Sequence, residues 1–240
     1  MAYRLYLAVV PVPPSEEIPA LRAYLEQAFP HVENRAYLDG LCGSPLPRVT
    51  VQRLGALSLL PSLLRAADID SASLILRRDG QGRPYCEVSK GILPFRGLTG
   101  THAPFDFNLS HTHAHVAAAL MVGEGRVGVD VEEPIPPARA LPLIRRYCTE
   151  GELALLEGLP DDGDPAARFF TSTWVEREAI AKQEGGGMPL RFDTAALPDG
   201  VTLWSGHLPG SETAVALCAP LKNAPSAPRI LPDSLPVRFS

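Results

Sequence analysis

Twenty-five prolines interrupt this chain of 240 residues, and they are unevenly spread. Proline fixes φ and lacks a backbone N–H, so helices and central strands rarely run through a proline cluster. The clusters fall at residues 11–19, 134–142 and 220–236. They read as segment boundaries, dividing the chain into a first half over residues 1–122, a second half over 123–219 and an extended proline-rich tail over 220–240. Length alone leaves one or two domains open, since a domain usually takes about 150 residues.

Between the clusters the pattern is that of a packed α and β protein. Tyr3 to Val10 alternates as a strand, and Ala20 to Phe29 sets Leu21, Tyr24, Leu25 and Ala28 on one helical face. Arg53 to Ala67 predicts a second apolar helix that Pro61 should kink or split. Ser73 to Arg78 is a short strand, followed by a turn over residues 79–84. Phe105 to Ser110, His115 to Val122 and Arg126 to Glu132 read as strands. Thr149-Glu150-Gly151-Glu152 fits a capping box. Asp164 and Pro165 open a helix that should reach Glu184 and stop at Gly185-Gly186-Gly187. Val201 to His207 and Thr213 to Ala219 close as an antiparallel pair. Each half holds a long helix followed by strands and ends in an alanine-valine-leucine strand, a faint sign of duplication.

Charge and thiols narrow the function. A net charge of −5 argues against wrapping nucleic acid, where a basic surface supplies most of the affinity. No stretch approaches 18 consecutive apolar residues, so no membrane span is expected. The apolar run after Met1 is followed by prolines rather than a small-residue cleavage site, and reads as a strand instead of a signal peptide. Cys42, Cys86, Cys148 and Cys218 are widely scattered without a C-x-x-C pair, which fits reduced thiols and a cytoplasmic protein.

Three segments carry chemistry. In Val127-Gly-Val-Asp-Val-Glu132, period two sets Asp130 and Glu132 on one face. Two carboxylates about 7 Å apart on a partly buried strand repel unless a cation sits between them. A hard divalent ion such as Mg²⁺ suits oxygen ligands; the plain alternative is an edge strand with a solvated acidic face. In the segment Trp174 to Lys182, Trp174, Glu178 and Lys182 share a helical stripe. A half-buried Glu178 beside Lys182 could supply a third metal ligand and a phosphate-binding ammonium; the alternative is a surface ion pair. The third segment is Phe107-Asn-Leu-Ser-His-Thr-His-Ala-His115. His111, His113 and His115 on one strand could hold zinc in a metal-dependent hydrolase, although Ser-His-Thr-His reads as a turn that would split them. His111, directly after Ser110, is the best ligand-facing imidazole.

Taken in order, these segments resemble the 4′-phosphopantetheinyl transferases in their Sfp-type form, with two pseudo-symmetric halves in one chain. The resemblance rests on Gly82-Arg83-Pro84, Phe107 to Thr112, Val127 to Glu132, Tyr147 to Glu152 and Trp174 to Gly185, over about residues 50–220. It implies an α/β fold of the α+β type: two similar halves, each an antiparallel-rich sheet packed with a long helix. It implies transfer of the phosphopantetheine arm of coenzyme A to a serine of an apo acyl or peptidyl carrier protein, releasing 3′,5′-ADP. By analogy Asp130, Glu132 and Glu178 would hold Mg²⁺, Lys182 would contact phosphate oxygens, and Arg83, Ser110 and His111 would line the nucleotide end, His111 near the 3′-phosphate. Glu152 and Glu178 are rival bases, and Glu152 also reads as the capping-box glutamate. A monomer without nucleic-acid or membrane partners is expected. An inactive carrier-binding module of the same fold is the other alternative.

Overall fold

The computed structural model describes residues 4–89, 105–157, 164–185, 197, 199–220, 228–231, 234 and 238–239. The first strand, β1 (Arg4–Pro11), leads through a 3₁₀ turn into four helices: α1 (Ile18–Ala28), α2 (Asn34–Cys42), α3 (Pro47–Ser58) and α4 (Leu60–Ala66). Strands β2 (Leu74–Arg78), β3 (Pro84–Val88), β4 (Phe105–His111), β5 (His115–Val122) and β6 (Gly128–Glu132) follow. Helices α5 (Pro137–Tyr147), α6 (Glu150–Glu157) and α7 (Asp164–Glu184) precede β7 (Val201–His207), β8 (Ala214–Pro220), β9 (Arg229–Ile230) and β10 (Arg238–Phe239).

Two four-stranded sheets run in the orders β4-β5-β1-β9 and β10-β7-β8-β6, and β2-β3 forms a separate hairpin. The sheets repeat one plan. In the first, β5 lies between β1 and β4, antiparallel to both. In the second, β8 lies between β6 and β7, again antiparallel to both. Each half thus has its first strand at one side, its last strand in the middle and helices between.

The sheets pack face to face. Leu5, Leu7, Val9, Ala117, Ala119 and Met121 meet Val127, Val129, Val131, Val215 and Leu217 in one buried layer. On the opposite face of the first sheet, Leu54, Leu57, Leu60 and Leu64 of α3 and α4 cover Tyr6, Ala118 and Leu120. On the second sheet, Val175, Ala179 and Ile180 of α7 cover Ala214, Ala216 and Cys218. Both faces of the central strands are buried, so they read as continuous apolar runs.

The proline expectations hold in part. Pro61 does split the apolar segment, and each resulting helix carries proline in its first turn, where the missing N–H has no intrahelical role. The cluster at 134–142 is more than a boundary: Pro137 opens α5 and Pro142 lies inside it. Packing of Ala140, Ile144 and Cys148 against Ala167 and Phe170 outweighs the lost backbone bond. Helix α2 and strand β3 had not been foreseen. The tail is not simply extended: residues 229–230 pair with β1 and 238–239 with β7. Between them the Ser234 hydroxyl accepts from Val9 N (2.7 Å) and donates to Val9 O (3.1 Å). Gly185 ends α7 at φ +80°, as the glycine run suggests; residues 186 and 187 lie outside the described residues.

Candidate functional site

The site forms where β4 and β6, edge strands of different sheets, come together. Alternation along β4 sends Phe105 and Phe107 into the helix-covered core and Asp106, Asn108 and Ser110 toward β6. These three side chains join the strands in place of a backbone ladder. Val127 N donates to Asp106 Oδ2 (2.8 Å), Val129 N to Asn108 Oδ1 (3.1 Å), and Ser110 Oγ to Asp130 Oδ1 (2.6 Å). Arg83 clasps the same seam from the turn before β3. Its guanidinium donates to Asp106, to Val127 O (2.7 Å), to Phe107 O (3.3 Å) and to Lys182 O. The turn is set by Asp79 Oδ1, which accepts from Gln81 N and Arg83 N, and by Gly82 at φ +84°.

Helix α7 brings Glu178 and Lys182 to this seam. Gly128 makes the approach possible: a Cβ there would lie 1.9 Å from Ala179 O. Lys182 Nζ reaches Asp130 Oδ1 (2.6 Å), Ser110 Oγ (3.2 Å) and Val129 O (3.3 Å). Asp130 is only 3% exposed, and its buried Oδ2 has no hydrogen-bond partner among the described residues. Burial, then the charges of Asp130 and Glu178, raise the Glu132 carboxyl to about 7 against the pull of Lys182. Glu178 is also raised, first by burial and with a contribution from Asp130, while Lys182 opposes. His111, at the end of β4, is pushed down by burial, Lys182 and Arg53, with Asp130 opposing. A cleft of about 340 Å³ opens beside these groups, lined by Arg83, Pro84, Asn108, Leu109, Lys182 and Gly185.

Three carboxyls facing one ammonium leave a surplus of negative charge in a partly desolvated place. Burial and mutual repulsion raise Glu132 and Glu178, and Asp130 Oδ2 has no hydrogen-bond partner among the described residues. This donor set fits a hard divalent cation. Among the described residues no three His, Cys, Asp or Glu side chains already close around a common point, and Lys182 holds Asp130 Oδ1.

The remaining sequence candidates lie as follows. Glu152 is buried at the start of α6, where the capping box forms: Glu152 Oε2 accepts from Thr149 N (2.8 Å) and Thr149 Oγ1 (3.0 Å). The same oxygen pairs with Arg177, which is fully buried and also donates to Tyr147 O (2.7 Å). Glu152 Oε1 has no partner among the described residues. Trp174 packs edge-on to Tyr147 at 5.1 Å and beside Phe170 at 5.6 Å, fixing the face of α7 that carries Glu178. The histidines do not share a strand: His111 ends β4, His113 is exposed in the turn and His115 starts β5. Sequence reasoning passed over Asp106, Asn108, Arg177, Gln52 and Glu133 as organising residues. The alternation Phe105-Asp-Phe-Asn-Leu-Ser110 was the available signal, since it places Asp106 and Asn108 on the Ser110 face.

Comparison with known proteins finds similarity over part of the chain. Residues 126–203, which contain β6 and α7, match the sequence model of the 4′-phosphopantetheinyl transferase superfamily. A Synechocystis protein whose name assigns it provisionally to the 4′-phosphopantetheinyl transferases is 30% identical over 82 residues, 34% of this chain and 32% of the relative. The 4′-phosphopantetheinyl transferase Sfp of Bacillus subtilis is 31% identical over 88 residues, 37% of each chain. The match thus spans about a third of the length of these curated relatives. Over residues 126–203, which hold β6 and α7, the chain is thus similar to the 4′-phosphopantetheinyl transferase superfamily.

Proposed function

We propose that this protein transfers the 4′-phosphopantetheine arm of coenzyme A to a serine of an apo acyl or peptidyl carrier protein, releasing 3′,5′-ADP. In this reaction the serine oxygen bonds to the pantetheine-side phosphorus, the bond from that phosphorus to the bridging oxygen breaks, and the serine proton goes to a protein base. The observation that carries the proposal is the gathering of buried Asp130 and half-buried Glu132 and Glu178 beside Lys182 at one seam.

Asp130, Glu132 and Glu178 would hold Mg²⁺, with Asp130 Oδ2 the free ligand atom. Bound there, the ion would neutralise pyrophosphate charge that otherwise repels the incoming hydroxyl. Lys182 sits with its ammonium at the same place and would meet phosphate oxygens. Ser110 keeps Asp130 oriented through its 2.6 Å hydrogen bond. Arg83 supports the nucleotide end chiefly by holding β4, β6 and α7 together. His111, with Arg53 in electrostatic range, would lie near the 3′-phosphate. Glu152 stays a candidate base, with Oε2 held by Arg177 and Oε1 without a partner among the described residues. Glu178 is the rival base. The division of the His111, His113 and His115 group across a turn gives no support to a hydrolase. Retention of the acidic residues and Lys182 speaks against an inactive module. Among the described residues no helix is long and apolar enough to cross a membrane. A cytoplasmic monomer remains part of the proposal.

Intact mass spectrometry of an apo carrier mixed with the protein, coenzyme A and Mg²⁺ tests this reading. One added phosphopantetheine arm is expected. Absence of the adduct on acyl and peptidyl carriers alike would overturn it. Asp130→Ala should reduce transfer by about a hundred- to a thousandfold, on the order of one lost charge-stabilising group, while circular dichroism stays native. Wild-type turnover in that variant would remove Asp130 from the ligand set.

A further inference from the structure

The turn between β4 and β5 is held from outside by both halves of the molecule. Its own Thr112 Oγ1 accepts from Ala114 N (3.2 Å) and His115 N (3.0 Å), an internal turn lock. From the first half, Gln52 of α3 donates its amide to Thr112 O. From the second half, Glu133, the residue after β6, accepts from Thr112 Oγ1 (3.0 Å) and from Ala114 N through the same Oε1. His115 Nδ1 lies 3.8 Å from that oxygen. Gln52 is 6% exposed and Thr112 9%, so the Gln52 bond is sheltered from water, while the Thr112–Glu133 bond is half-buried and the Ala114–Glu133 bond exposed. The residue immediately before the locked turn is His111.

We infer that Glu133 is a positioning residue for His111, so that contact with the 3′-phosphate of coenzyme A depends on an acceptor supplied by the second half. The inference rests on the reading of His111 given under Proposed function. Geometry assigns this role better than charge does. A carboxylate near a phosphate site repels the ligand, so if Glu133 acted by charge alone its removal would tighten binding. As a hydrogen-bond acceptor that fixes the turn, its removal would loosen His111 and weaken binding. The two roles therefore predict opposite signs for Glu133→Ala, whereas glutamine, which keeps the acceptor and drops the charge, should preserve binding.

Isothermal titration of the full chain with coenzyme A and with dephospho-coenzyme A, which lacks the 3′-phosphate, separates the cases. For the wild type, coenzyme A should bind more tightly than the dephospho form. Glu133→Ala should weaken coenzyme A by about fivefold, the cost of about one net hydrogen bond, and leave the dephospho form unchanged. Glu133→Gln should bind coenzyme A at least as well as the wild type. Equal weakening of both ligands by Glu133→Ala would overturn the inference, as would tighter coenzyme A binding. Failure of the wild type to bind either ligand would instead overturn the functional reading. Should Glu133→Ala not fold, Gln52→Leu, which unties the turn from the first half, should show the same selective loss.

Discussion

Glu132 shows how a single residue in this site couples charge to stability. Its carboxyl holds a proton more tightly in the folded protein, at about 7, than the ordinary 4.5. Such a group contributes stability fully below the unfolded value and loses it as pH rises through the folded one. Without divalent metal, the protein should therefore lose stability between pH 4.5 and 7. Glu132→Gln should flatten that slope and stabilise the metal-free protein at pH 8 by on the order of 1–2 kcal/mol, after discount for solvent screening. Urea unfolding across pH checks this, and a variant that tracks the wild type would contradict it. Mg²⁺ should stabilise the wild type more at pH 8 than at pH 5.5, because it would replace the proton on Glu132. At this scale much was legible. Period two paired Asp130 with Glu132, and helical spacing paired Glu178 with Lys182. Illegible were the residues whose roles depend on which strand lies opposite. Asp106 and Asn108 look like ordinary polar positions until β6 is known to sit beside β4. Arg177 looks like a surface arginine until Glu152 faces it.

At the scale of elements, the contact of α7 with β6 decides whether the site exists. Gly128 is needed for space: its absent Cβ would meet Ala179 O at 1.9 Å and Gln183 N at 2.6 Å, both helix backbone. Gly128→Ala must push the helix away, carrying Glu178 and Lys182 with it. A loss of about 3 kcal/mol is expected, the upper range for overpacking, together with a smaller thermal shift on adding Mg²⁺. An unchanged melting temperature would show that α7 can yield. Long, strongly patterned elements such as α7, β5 and β8 could be read in advance, because apolar periodicity and caps agree there. Helix α5 could not, since two prolines within it outweigh the weaker signal of Ala140, Leu143 and Ile144. Strand β3 begins with Pro84 and gains its identity only from pairing with β2.

For the whole molecule, the duplicated plan was faintly legible and the closing role of the tail was not, because two-residue strands carry no pattern of their own. Residues 229–230 cover the free edge of β1 and residues 238–239 that of β7. Ending the chain at Pro220 should therefore uncover two strand edges, lower the melting temperature and promote association. Light scattering of the truncated protein against the full chain reads the difference; a monomer of unchanged stability would contradict it. The same pairing has a consequence in time. During synthesis β1 is made before its partners and must wait for β5 and then for residues 229–231, more than 200 residues later. Such distant partners make for slow folding and a long interval of exposure. Until residues 229–231 are made, β1 therefore keeps one apolar edge open, and the nascent chain stays exposed to association for that interval.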